Sequence, residues 1–272
     1  IEGGIRERTA VCPSCGGPLR FRGATSIVAV CAYCRSTLVR EGALRSEIAL
    51  LYRSNAQSRV LEHQLFSAGI PYRVYGGLRF FERQEIKDAL AYLRLISNRD
   101  DDASFERVVN LPTRGIGART LEVLRAHSRE HVKSMWAAAF ECNEDLGTKA
   151  VSCLQAFLTL IEKLDAETQG LPLHEQVDHV IQASGLVAHY QKDKADKGEA
   201  RLENLEELVS AARGFEPEDA DMPPLMAFLS HAVLESGEGQ AEAWEDCVQM
   251  MTLHSAKGLE FPVVFLCGLE DG

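Results

Sequence analysis

Apolar and polar residues follow two different periods along this chain, and the change of period divides it. EIALLYR at 47–53 is a short aliphatic and aromatic run that reads as a buried strand. SRVLEHQLFSAG at 58–69 carries its apolar residues at helical spacing and stops at Gly69, and YRVYG at 72–76 returns to strand character. Together they predict a β-α-β unit. From Phe81 the pattern turns helical, with Ile86, Ala89, Leu90, Leu93 and Leu95 on one stripe, and it stays helical to about residue 238. Pro and Gly punctuate this body at 112, 115, 117, 147, 170, 172, 185, 198, 223 and 224, and EPEDADMPP at 216–224 reads as a polar loop. Strand character resumes only with VQMMTL at 248–253, followed by a polar turn and a second apolar strand. The expected fold class is α/β with a large all-α insertion, divided at 43–75, 76–245 and 246–272, behind a distinct head at 1–42.

Composition narrows the class. The chain has 272 residues, 46% hydrophobic and 25% charged, which suits one or two globular domains. Its net charge of −11 argues against a uniformly basic nucleic-acid binder, but the charge is uneven. Residues 1–46 hold seven Arg against three Glu, a net +4, which leaves −15 for the remainder. No apolar run reaches transmembrane length and no signal peptide core is visible, so no membrane partner and a cytoplasmic location are expected. The chain begins at Ile1 rather than Met and is read as a fragment or a processed chain.

Four of the eight cysteines have metal-ligand spacing. Cys12, Cys15, Cys31 and Cys34 form C-x2-C-x15-C-x2-C, in which each CxxC turn offers two thiolates to one tetrahedral ion. Gly16 and Gly17 permit a tight knuckle, so the head at 1–42 is read as a small N-terminal zinc ribbon with structural Zn. A redox dithiol is the alternative. Cys142, Cys153, Cys247 and Cys267 are scattered and read as buried small hydrophobes.

Three segments carry a resemblance. LYRSNAQSR at 51–59, YRVYGGLRFFERQEIKDALAYLRL at 72–95 and HSAKGLEFP at 254–262 occur in one order. Together they resemble the superfamily 1 DNA helicases of the UvrD, Rep and PcrA group over about residues 43–272, with HSAKGLEFP as helicase motif V. The resemblance implies that 43–75 begins a partial RecA-like (P-loop NTPase-type) second domain and that 246–272 is its truncated return. It makes 76–245 the helical accessory (2B-type) domain. It further implies ATP and Mg as cofactors of the complete helicase, and a DNA junction and repair or replication proteins as partners. The ribbon departs from that pattern, since the family has none before LYRSNAQSR. The chain also has no GxxxxGK[ST] phosphate loop, and it lacks the family's magnesium and arginine-finger motifs, so by itself it is expected to be inactive.

Candidate contacts follow from both readings. Ser54 and Asn55 sit between a strand and a helix, where they either hold a phosphate or cap the helix; the resemblance places them on the single-stranded DNA track. In motif V, His254 and Lys257 resemble single-strand contacts, Thr252 offers a hydroxyl to the DNA backbone, Glu260 is placed for the nucleotide ribose, and Gly258 gives the turn its freedom. In LPTRGIGARTLE at 111–122, Gly115, Ile116 and Gly117 form a turn flanked by Arg114, Arg119 and Thr120 that suits a duplex phosphate; the alternative is an ordinary interhelical turn. The basic loop of Lys192, Lys194, Lys197 and Arg201 is read as a solvated helix end, and the aromatic group Tyr72, Tyr75, Phe80 and Phe81 as packing. The reading is therefore a fragment of an ATP-dependent 3′-to-5′ DNA helicase. A non-catalytic zinc-ribbon adaptor for DNA junctions or a protein partner is the rival.

Overall fold

The computed structural model describes residues 44–75, 78–193, 195–217, 221–237 and 246–268, with the backbone of four short strands before them. Those strands form two antiparallel pairs, β1 (Ala10–Val11) with β2 (Pro18–Leu19) and β3 (Val28–Val30) with β4 (Thr37–Val39). Cys12 and Cys15 fall in the connection from β1 to β2, and Cys31 and Cys34 in that from β3 to β4; all four lie outside the described residues. The chain divides into two compact units, Ile1–Gly77 with Gly239–Gly272, and Leu78–Glu238.

In the first unit, β5 (Ile48–Tyr52), β6 (Tyr72–Val74), β7 (Val248–Thr252) and β8 (Val263–Leu266) form a four-stranded sheet in the order β6-β7-β5-β8. Every pairing is parallel. The strand–turn–strand seen in the sequence is thus not a hairpin, because β5 inserts between β7 and β8 and the connection at 253–262 must cross it. Helix α1 (Ser58–Ser67) lays Leu61 and Leu65 on one face of the sheet, against Ile48, Leu50, Tyr52, Tyr72, Val74, Val248 and Met250. It ends where the sequence places a glycine: Gly69 adopts φ +63, its N–H donates to Phe66 O, and Ile70 N–H reaches Leu65 O at 2.9 Å. That left-handed residue satisfies the last carbonyls of the helix without a Cβ penalty.

The two strands separated by the insertion are tied at their starts. Asp246 accepts from the N–H groups of Arg45 and Ser46 at 2.8 Å each, and these hydrogen bonds, that from Arg45 foremost, hold its carboxyl below the usual carboxylate range. A lowered folded pKa means a contribution present above the unfolded value of about 4 and lost as pH falls through the folded one. Asp246→Ala should therefore melt below the parent at neutral pH, with the gap closing in acid. A pH series of melts in which the gap persists at the lowest pH would remove Asp246 from this role.

The second unit is helical, built from α2 (Gln84–Ser97), α3 (Asp102–Val108), α4 (Ala118–His131), α5 (Met135–Glu141), α6 (Thr148–Thr168), α7 (Leu173–Ala183), α8 (Leu186–Tyr190), α9 (Ala195–Arg213) and α10 (Pro224–Gly237). α2 is its axis, buried almost all round through Ile86, Ala89, Leu90, Ala91, Tyr92, Leu93, Leu95 and Ile96. Arg79 stitches the entry of this unit to its exit by donating to Glu235 O at 3.1 Å and to Ser236 O. At the α8–α9 corner, a Cβ on Gly198 would lie 2.8 Å from Tyr190 O, so only glycine lets the two segments approach this closely. No described helix is long and apolar enough to cross a membrane.

Candidate nucleic-acid interface

Because β5 and β7 are parallel neighbours, with Tyr52 in register with Thr252, the segments that follow them emerge side by side at the carboxyl edge of the sheet. This is the edge at which open α/β sheets bind ligands. Leu253 N–H donates to Tyr52 O at 2.9 Å and Cys267 N–H to Leu51 O at 2.8 Å, so the ends of β5, β7 and β8 are knitted together there. Ser54 and Asn55 are consequently brought alongside the 253–258 turn that carries His254 and Lys257.

Ser54 makes no side-chain cap and Asn55 is exposed, since a 3-10 turn at Asn55–Gln57 intervenes before α1. The organiser of this loop is Gln57, whose Oε1 accepts from the N–H groups of Arg53 at 2.9 Å and Ser54 at 3.2 Å. Gly268, at φ +71, lies against the same amide: a Cβ there would sit 2.5 Å from Gln57 Nε2. Gln57 was legible in principle, because S-x-x-Q is the capping-box spacing. Gly268 carried no such signal.

In motif V, His254, Lys257, Gly258 and Glu260 are exposed. Gly258 has φ +87, a conformation that side-chain-bearing residues adopt at a cost of about 1 kcal/mol or more. Thr252 has a local role as well. Its Oγ1 accepts from Ser255 N–H at 3.2 Å and contacts Ser255 Oγ at 3.0 Å, so its hydroxyl caps the turn. Thr252 shapes the loop that presents His254 and Lys257.

The glycine turn of the helical unit is also revised in its side chains. Ile116 is 1% exposed and belongs to the helical core, Thr120 is buried, and half-buried Arg114 commits its guanidinium to Val108 O and Ser184 O. Of the side chains read as flanking the phosphate, Thr120 faces the interior and Arg114 is committed to protein acceptors. Apolar burial claims Ile116, and unsatisfied interior carbonyls claim Arg114. What faces outward is backbone and one cation. Gly115 has φ +81, Gly117 precedes α4, Arg119 is exposed, and the N–H groups of Gly115, Gly117, Ala118 and Arg119 have no hydrogen-bond partner among the described residues. Successive unpaired amides at a helix start form an anion-binding concavity.

Other nominated residues sort plainly. Arg201 pairs with Asp193, lies 3.7 Å from Glu85 and stacks 5.0 Å from the Tyr190 ring centre, so it is structural; Lys192 and Lys197 are exposed, and Lys194 lies outside the described residues. Tyr72, Phe80 and Phe81 are buried as packing requires, whereas Tyr75 is 43% exposed. Cys142 and Cys247 are buried, Cys153 and Cys267 only partly so, and burial raises the Cys142 and Cys267 thiols.

Comparison with known proteins bears on the sheet and helical units together. The model of the UvrD-like helicase C-terminal domain matches residues 29–272, so the likeness begins before position 43 and takes in most of β3 and all of β4. Over 235 residues the chain is 60% identical to DNA helicase II of Escherichia coli (strain K12), covering 85% of this chain and 33% of that protein. It is 41% identical over 234 residues to the ATP-dependent DNA helicase PcrA of Bacillus subtilis (strain 168), covering 84% of this chain and 32% of that protein. The chain thus spans about a third of the length of the curated relatives it matches. Since the family match leaves out only the first 28 residues, the chain belongs to the UvrD-like helicase C-terminal domain family.

Proposed function

We propose that this chain supplies the single-strand track and the duplex grip of an ATP-dependent 3′-to-5′ DNA helicase that unwinds DNA in repair or replication. The observation that carries the reading is the carboxyl edge of the parallel sheet, where Ser54 and Asn55 lie beside the turn bearing His254 and Lys257. Lys257 meets a phosphate by charge, His254 and Asn55 donate or accept hydrogen bonds, and none of these contacts reads sequence. In the helical unit, the outward amides of Gly115 and Gly117 with Arg119 hold duplex phosphate. The polarity is that of the family the segments resemble.

ATP and Mg belong to the complete enzyme in this reading. Glu260 is exposed and makes no hydrogen bond or ion pair among the described residues, so its carboxylate is free to accept from a ribose hydroxyl, with Gly258 giving the turn its shape. The sequence carries no GxxxxGK[ST] phosphate loop, so the isolated chain should not turn over ATP. For the head, each CxxC falls between two antiparallel strands, the backbone setting of a zinc knuckle, which supports Cys12, Cys15, Cys31 and Cys34 as the ligands of one structural Zn. A closed four-thiolate site supplies folding energy and no open position for catalysis.

The test is a titration of the chain and its variants against a single strand, a duplex and a tailed duplex. The tailed duplex should bind tightest and all binding should be salt-sensitive. His254→Ala and Lys257→Ala should each weaken the single strand about three- to tenfold, the value of one or two polar contacts. Lys257→Ala should also reduce the salt slope by about one. Equal binding of all variants to every substrate would remove these residues from the track and favour an adaptor role.

A further inference from the structure

The glycine turn is held from the inside by two side chains that leave its outward amides free. Asn110 Oδ1 accepts from the N–H of Arg114 at 2.7 Å and of Ile116 at 3.2 Å. The alternate amides, Gly115 and Gly117, stay unpaired among the described residues. Arg114 then fastens the turn to its surroundings. One terminal nitrogen donates to Val108 O and Pro112 O at 3.1 Å, the other to Tyr92 Oη at 2.7 Å and to Ser184 O at 3.0 Å. Its guanidinium also lies 5.8 Å and 5.5 Å from the ring centres of Tyr92 and Phe157. Burial, the dominant influence on Tyr92, pushes its hydroxyl up to about 12, so it remains a neutral acceptor for Arg114 at all working pH.

A half-buried planar fork with four hydrogen bonds and two neighbouring rings is a brace whose donors are committed to the protein. Lysine, a point charge with three donors on a flexible stem, cannot reproduce that geometry. Ser184 lies one residue before Gly185 at the start of α8, so the Arg114 hydrogen bond to its carbonyl ties the turn to the α7–α8 corner.

We infer that Asn110 and Arg114 are positioning residues for the duplex grip, fixing the N–H groups of Gly115 and Gly117 in the direction of a backbone phosphate without touching it. This rests on the proposed reading that the turn contacts duplex DNA. Preorganised donors bind without the ordering cost that a mobile glycine loop would carry.

The experiment measures duplex and single-strand affinity of the whole chain across a salt series, for Asn110→Ala, Arg114→Lys, Arg114→Gln, Arg119→Gln and Gly117→Val. Asn110→Ala and Arg114→Lys should each lose about tenfold in duplex affinity, the worth of roughly 1.4 kcal/mol, with single-strand affinity and salt slope unchanged. The slope stays because no phosphate-bound cation has been removed. Arg119→Gln should lower it by about one. Gly117→Val should block the turn, since nothing lies within 4 Å of a Cβ there and the side chain projects freely outward. If Arg119→Gln and Gly117→Val leave duplex binding intact, the duplex reading of the turn falls. If those two weaken it while Asn110→Ala and Arg114→Lys do not, positioning is overturned. A preserved Arg114→Lys with a reduced slope in Arg114→Gln makes Arg114 a direct contact. Melting curves accompany each variant, and if Arg114→Lys is unstable, the duplex-to-single-strand affinity ratio of Asn110→Ala decides the question.

Discussion

Removing zinc from the purified chain should unfold the cysteine-bearing head while the transition of the helical unit stays in place. The argument is thermodynamic. Structural zinc contributes roughly 10–16 kcal/mol of apparent binding free energy in small Cys and His domains, and that energy is folding energy because the unfolded chain has no site. β1 to β4 are only two or three residues each, far too short to be stable without a staple. The helical unit has its own apolar core spanning α2 to α10. Elemental analysis of protein prepared under reducing, chelator-free conditions should return one zinc per chain. Chelation should release it with loss of the head's hydrogen-exchange protection. A substoichiometric metal content, or a melt of the helical unit that moves with chelation, would sink the four-cysteine assignment.

The second large effect is expected at Asp88. Its side chain is 2% exposed on α2, and it accepts from Arg107 Nε on α3 at 2.6 Å and from the hydroxyl of Tyr190 on α8. Burial and the neighbouring carboxylate raise the Tyr190 hydroxyl well above its ordinary range, so it stays a donor. Asp88→Ala leaves a fully buried hydroxyl without its acceptor and releases Arg107 to solvent. Arg107 is 37% exposed and recovers hydration, which places the cost near the lower end for a broken buried pair, about 3 kcal/mol. For a unit of this size that is about 10 °C in melting temperature. Asp88→Asn keeps an acceptor and should recover a large part of it. An alanine variant melting within a degree or two of the parent would mean the network adds nothing to stability.

Asp88 also shows what one-dimensional reading misses. On its helix it is one of four charges, with Glu85, Lys87 and Arg94, and nothing about its neighbours in sequence distinguishes a buried acceptor from a solvated one. The same holds for Asn110, whose two hydrogen bonds are made to residues four and six positions on, in a loop without a repeating pattern. Arg114 carries the opposite lesson. A cation beside two glycines reads as a phosphate contact, yet interior carbonyls of α3, of its own loop and of the α7–α8 corner reach it first. Gly115 and Gly258, by contrast, were legible because their positive φ favours glycine locally.

The sequence by itself determined the kinds of element and their order, because periodicity and punctuation are local: the strand at 48–52, the helix closing at Gly69, the helical body, and the return to strand at 248. It also nominated the members of the candidate site, since HSAKGLEFP and LYRSNAQSR are contiguous strings. Only the tertiary structure decided that β7 lies between β6 and β5, so that two segments some 200 residues apart emerge at one edge. It alone turned Ile116 and Thr120 inward and committed Arg114 to protein acceptors. Strand order and side-chain direction are set by which apolar faces and unsatisfied carbonyls must be covered across long separations, and that competition leaves no periodic trace in the chain.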